Sequence, residues 1–85
     1  MTELTELIGE LFGYNQSQVK NLALLLQDIE HDLNDGRLSK SEYDELMLDV
    51  ERCKKIIDVS NNIELNTKIN QTIHLVMELA KYAKF

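Results

Sequence analysis

The sequence predicts an all-α fold: an antiparallel helical hairpin with a short N-terminal amphipathic helix and a C-terminal helix, together a small helical, coiled-coil-like bundle. Three observations predict it. The 85 residues hold no proline and three glycines, too little turn punctuation for the many short strands of a sandwich or barrel. Apolar residues recur at spacings of three and four along most of the chain, the period of a helix face. At 44% apolar and 28% charged, the composition is too hydrophobic for a disordered tail, and the length allows one small domain, 1–85. A chain this short rarely builds a self-sufficient core, so partner surface is expected to supplement it.

The first helix is expected over residues 2–12. Leu4, Leu7, Ile8, Leu11 and Phe12 fall at i, i+3, i+4, i+7 and i+8, with Glu3, Glu6 and Glu10 on the other side. Gly13 and Asn15 end it. Gly9 inside it costs about 1 kcal/mol relative to alanine, so a helix of this length is marginal unless docked. Its apolar face has two destinations: a groove on a partner, with these five residues as anchors, or the hairpin of its own chain.

The second helix is expected over 16–35. Val19, Leu22, Leu26, Ile29 and Leu33 are spaced 3, 4, 3 and 4, the a/d seam of a heptad, and Leu25 widens the stripe. Asn15 and Gln18 have the spacing of a cap and its N3 partner. The turn that follows, Asp35 to Tyr43, is the most strongly signalled feature of the chain. Gly36 suits the left-handed position that ends a helix. Ser39 and Glu42 have capping-box spacing, and Leu38 and Tyr43 occupy the positions of a hydrophobic staple.

A third helix is therefore expected from 39 to 59, with Tyr43, Leu46, Val50, Cys53 and Ile57 repeating the 3, 4, 3, 4 seam. Two helices of equal length and period joined by a short connection become antiparallel neighbours, about 30 Å long. The fourth helix is expected over 62–84, on Leu65, Ile69, Thr72, Val76, Leu79 and Ala83. Its seam is out of phase with the third. Ser60, Asn61 and Asn62 compete for local backbone bonds and favour a break there, and a continuous helix over 39–84 is the alternative.

No catalytic, cofactor or metal signature emerges. Asp35-Gly36-x-Leu38-Ser39-x-x-Glu42 resembles the second half of an EF-hand loop, but the first and third ligand positions would be His31 and Leu33, which supply no carboxylate for calcium. Asp28, His31 and Asp35 share a helix face, as do His74 and Glu78, and each set reads as a solvated acidic face rather than a transition-metal site. Cys53 lies on the third seam, where a free cysteine behaves as a small hydrophobe. With no phosphate loop, Cys-x-x-Cys pair or nucleophile elbow, the chain is not expected to be an enzyme.

Compartment and partners follow from what the chain carries. One cysteine cannot form an intramolecular disulfide, and the opening residues are acidic where a targeting peptide is basic, so a cytoplasmic protein is expected. The longest apolar run, Leu22 to Leu26, is far short of the ~20 residues that span a bilayer. The formal charge of −6 is polarised: 7 acids against 2 bases over residues 1–38, 6 against 4 over 39–60, and 2 against 3 over 61–85. Clustered basic residues are limited to Arg52, Lys54 and Lys55, which disfavours direct nucleic-acid binding.

Two functions are then in view. The first is a structural or protein-interaction module that completes its core by homo-oligomerising or by docking on a larger assembly. The second is an acidic regulator, or nucleic-acid mimic, that fills a basic site on a partner with a negative surface of Asp28, Glu30, Asp32, Asp35, Asp44, Glu45, Asp49 and Glu51. In style a short, acidic, proline-free helical chain looks like the small accessory or virion proteins of tailed phages, a likeness carried by no diagnostic residue, which adds virion association as a second location.

Overall fold

The computed structural model describes residues 3–60, 62–83 and 85, and among them it forms four α-helices: α1 (Glu3–Phe12), α2 (Ser17–Asn34), α3 (Lys40–Ile56) and α4 (Ile63–Lys81). Thr2 and Lys84, where the expected first and fourth helices began and ended, and Asn61 at the expected break lie outside the described residues.

The turn between α2 and α3 carries the bonding its sequence encodes. Gly36 has φ +67°, and the chain reverses around it: the Arg37 amide donates to the Asp32 carbonyl at 3.0 Å and the Gly36 amide to the Leu33 carbonyl at 3.3 Å. This is the Schellman pairing, which satisfies carbonyls that the last helical turn leaves unpaired. Three residues on, the Glu42 amide donates to Ser39 Oγ at 3.1 Å and the Ser39 amide donates to Glu42 Oε1 at 3.2 Å. Both halves of the capping box are therefore made. Leu38 is buried, and Tyr43 packs half-buried against the core.

Other ends differ from expectation. The N-cap of α2 is Gln16, with no side-chain cap bond, rather than Asn15. Helix α3 stops at Ile56, short of residue 59, because Asp58 diverts the backbone: its Oδ1 accepts from the Ser60 amide at 3.0 Å and the Ser60 hydroxyl at 2.7 Å. These bonds also hold the Asp58 carboxyl below its usual pKa. Asn62 then caps α4, its Oδ1 accepting from the Leu65 amide at 2.9 Å. The described residues of this half of the chain thus form two helices, α3 and α4.

Core formation departs from the hairpin-centred picture. α1, α2 and α4 pack against one another in a mutual triangle, whereas α3 has α2 as its one extensive neighbour among the described residues. Leu11, Leu22, Leu26, Ile29, Leu65 and Ile69 are the largest side chains at the centre. Of the α3 residues only Val50 is buried, while Tyr43, Leu46, Met47 and Cys53 pack half-buried at the margin. Ile57, expected as the last seam residue of α3, is buried from the C-cap position. On α4 the buried stripe includes Ile73 and Ala80 beside the expected Leu65, Ile69, Thr72 and Val76, and Leu79 and Ala83 are half-buried. Thr72 is tolerated at full burial because its hydroxyl donates to the Lys68 carbonyl at 2.6 Å.

Candidate protein interface

The five residues expected to dock on a partner are used internally. Leu4, Leu7, Ile8 and Leu11 are buried, and Phe12 packs half-buried against the core, where α1 lies on both α2 and α4. Of the two destinations open to this face, the structure shows the one within the chain, on α2 and α4 rather than on the α2–α3 hairpin. A short helix interrupted by a glycine gains its stability by burying an apolar stripe, and the α2–α4 pair offers that surface within the same chain.

The acidic surface is also rearranged. Glu30 is buried, with 5% of its surface exposed, and accepts from the Thr5 hydroxyl at 3.0 Å. It belongs to the α1–α2 contact and not to the exterior. Arg37 lies 3.3 Å from Asp32 and 2.9 Å from Asp35, Lys40 pairs with Asp44, and Arg52 lies 3.1 Å from Asp49. Asp28, Glu45 and Glu51 are exposed. Half of the eight carboxylates thus carry a base as neighbour, which weakens the negative field of the hairpin. The two histidines are both exposed; His74 Nε2 is 3.7 Å from Glu78 Oε1. Among the described residues no group of three or more potential ligands gathers to hold a metal ion, and no helix is long and apolar enough to cross a membrane.

Large apolar side chains are exposed on α2 (Leu24), α3 (Leu48, Ile56) and α4 (Ile63, Met77) and at the C-terminal end (Tyr82, Phe85), and a grooved strip lies along α3. Tyr43, Met47 and Glu51 at i, i+4 and i+8, with Asp44 and Leu48 beside them, form one flank of that helix, and Met77 of α4 closes the far side of a groove of about 270 Å³. Leu48 is 58% exposed and Met77 50%. Methionine suits such a surface because an unbranched thioether repacks against varied neighbours. At the upper end the Tyr43 and Phe85 rings are 5.5 Å apart at 41°, and Lys40 Nζ lies 5.5 Å from the Tyr43 ring centroid. Partial burial pushes the Tyr43 hydroxyl above its usual pKa, against the opposing pull of Lys40. Asp44 and Glu51 put charge at the groove's edge, an apolar strip with a polar rim.

Charge along α3 is sorted as well. Residues 42–51 contain five acids and no base, and residues 52–55 contain three bases and no acid. None of Met47, Leu48 and Met77 lies on a heptad seam, so the periodicity that locates the core passes over them. The signal that finds them is the surplus of large apolar residues off the seam. Comparison with protein-family models, with curated proteins and with solved structures finds no match for this chain.

Proposed function

We propose that the protein is a non-enzymatic interaction module that self-associates through the α3 flank, two copies pairing their α3 helices antiparallel about a twofold axis. One observation carries the reading: α3 fully buries a single residue, Val50, and leaves Leu48 and the Met47–Met77 groove open beside half-buried Tyr43, Leu46 and Cys53. A helix that buries so little is stabilised by a second partner surface, because helices in water persist mainly through packing of an apolar face. Antiparallel apposition brings the basic last turn of one copy, Arg52 to Lys55, towards the acidic stretch 42–51 of the other. Complementary charge of this kind fixes register and speeds encounter more than it adds affinity, and a twofold pair is the commonest closed assembly. The acidic-regulator reading has weaker support, since Glu30 is buried and four of the remaining seven carboxylates have basic partners.

Light scattering coupled to size exclusion tests the proposal. The mass is expected at twice that of the 9.9 kDa chain in both low and high salt, and Leu48→Asp or Met77→Asp is expected to return it to one chain with far-UV circular dichroism unchanged. A wild-type mass of one chain at millimolar concentration overturns it.

A further inference from the structure

The contact between α1 and α2 is not closed. A cleft of about 440 Å³ runs between the two helices, lined on the α1 side by Thr5, Ile8, Gly9 and Phe12 and on the α2 side by Gln27, Glu30, His31 and Asn34. This volume falls within the range of small-ligand sites, about 300–1,000 Å³. Glu30 and Asn34 also line a second recess of about 230 Å³, whose other walls are Glu3 and Leu4 of α1 with Leu75 and Leu79 of α4. The two spaces therefore share one buried carboxyl group, flanked on both sides by apolar surface.

We infer that this cleft binds an alkylammonium group, with the Glu30 carboxylate as its counter-charge and the apolar walls covering its stem. Three features carry the inference. Glu30 is 5% exposed, and among the described residues no lysine, arginine or histidine nitrogen lies within ion-pairing distance of it. The Thr5 hydroxyl gives this carboxyl one hydrogen bond but no charge of opposite sign, and a cationic ligand in the cleft supplies that charge. The carboxylates lining the recesses, Glu30 in both and Glu3 in the second, outweigh the one basic side chain present, the exposed His31 of the first, and neither recess is lined by lysine or arginine, which favours a cation over an anion. Phe12 and Ile8 on one side and Leu4, Leu75 and Leu79 on the other suit a hydrocarbon stem better than a hydrated metal ion, for which no group of three or more acidic, histidine or cysteine side chains gathers among the described residues.

The third feature is Gly9. It sits inside α1, where glycine costs about 1 kcal/mol relative to alanine. No backbone requirement explains it: the positive φ among the described glycines belongs to Gly36, and a Cβ built at Gly9 meets nothing within 4 Å. What the missing side chain does is leave the α1 wall of the cleft open over Glu30 and Asn34.

The test is an NMR titration of the ¹⁵N-labelled full chain with hexylammonium chloride, with sodium hexanoate at matched ionic strength as the charge-reversed control. Saturable shifts of the Thr5, Gly9, Glu30 and Asn34 amides are expected with the amine and not with hexanoate. Glu30→Gln is expected to weaken binding about tenfold or more, the loss of a charge-assisted hydrogen bond. Gly9→Phe fills the cleft while leaving Glu30 in place and is expected to abolish the shifts, with the circular dichroism of each variant establishing that it is folded. Nα-acetyl-lysine methylamide distinguishes the source: tighter binding than hexylammonium identifies a lysine side chain of a partner, and weaker binding a free amine. Equal shifts with hexanoate, no saturation with the amine, or undiminished binding by folded Gly9→Phe overturns the inference.

Discussion

Gly36 and Gly9 show how one residue type does opposite things at two places. At φ +67° Gly36 occupies a region where an L side chain is strained, so Gly36→Ala is expected to destabilise the chain by about 1–2 kcal/mol. At Gly9 the backbone is helical and the space around a Cβ is empty, so Gly9→Ala is expected to stabilise by up to about 1 kcal/mol. Urea unfolding of the two variants checks both signs in one experiment. Glu42 adds a pH dependence. Its hydrogen bonds with Ser39, first through the side chain and then the backbone, hold its carboxyl below the usual range. A lowered folded-state pKa contributes stability that is complete above the unfolded carboxyl value and is lost as pH falls through the folded one. Glu42→Gln keeps an acceptor for the Ser39 amide and does not titrate, so its unfolding midpoint is expected to fall less steeply than that of the wild type as the solution is acidified from pH 6 through the carboxylate range.

At the scale of elements, α3 is the odd member. α1 buries four apolar side chains in ten residues, whereas α3 buries one in seventeen. Local opening follows local burial, so the backbone amides of α3 in the monomeric Leu48→Asp variant are expected to exchange with solvent faster than those of α2 and α4. In the wild type their protection is expected to rise with protein concentration, since the proposed pairing covers the same helix. Concentration-independent exchange would count against the α3 interface. The ends of α3 are strongly specified by the capping box and the Asp58–Ser60 bonds, so its length is set locally even though its packing is sparse.

The whole molecule has a Cα radius of gyration of 12.4 Å, close to the ~12 Å expected of a compact domain of this length. Burial is concentrated in the α1–α2–α4 triangle. Leu26→Ala at its centre is expected to cost about 2–5 kcal/mol, and Leu48→Ala, on the open flank, within about 0.5 kcal/mol in dilute monomer; thermal unfolding of the two variants checks the contrast. Lys68 ties the triangle at its surface, 3.1 Å from Glu64 and 3.8 Å from Glu10 of α1, with its Nζ 5.9 Å from the Tyr14 ring centroid. The hydrogen bond to Glu64 raises its pKa, with smaller support from Glu10 and Tyr14.

The sequence by itself determined the helical class, the Gly36 stop and the Ser39–Glu42 box, because each rests on residues fewer than about ten positions apart and on backbone bonds that short-range chemistry decides; it favoured a break before α4 but left one continuous helix open, and the Asp58–Ser60 bonds and the Asn62 cap decide for two. It also located the seams of α2 and α4, since an apolar stripe must be buried wherever its partner lies. The tertiary structure decided which stripes met. α1 and α3 both carried apolar faces able to pack on α2, and periodicity does not rank them. Packing placed α1 and α4 in the central triangle and left α3 at the side, which buried the face of Leu4 to Phe12, drew Glu30 inside beside Thr5, and exposed Leu48 and Met77. Burial at Glu30 depends on α1 crossing α2 at that residue, a contact between positions 25 apart that no local pattern encodes.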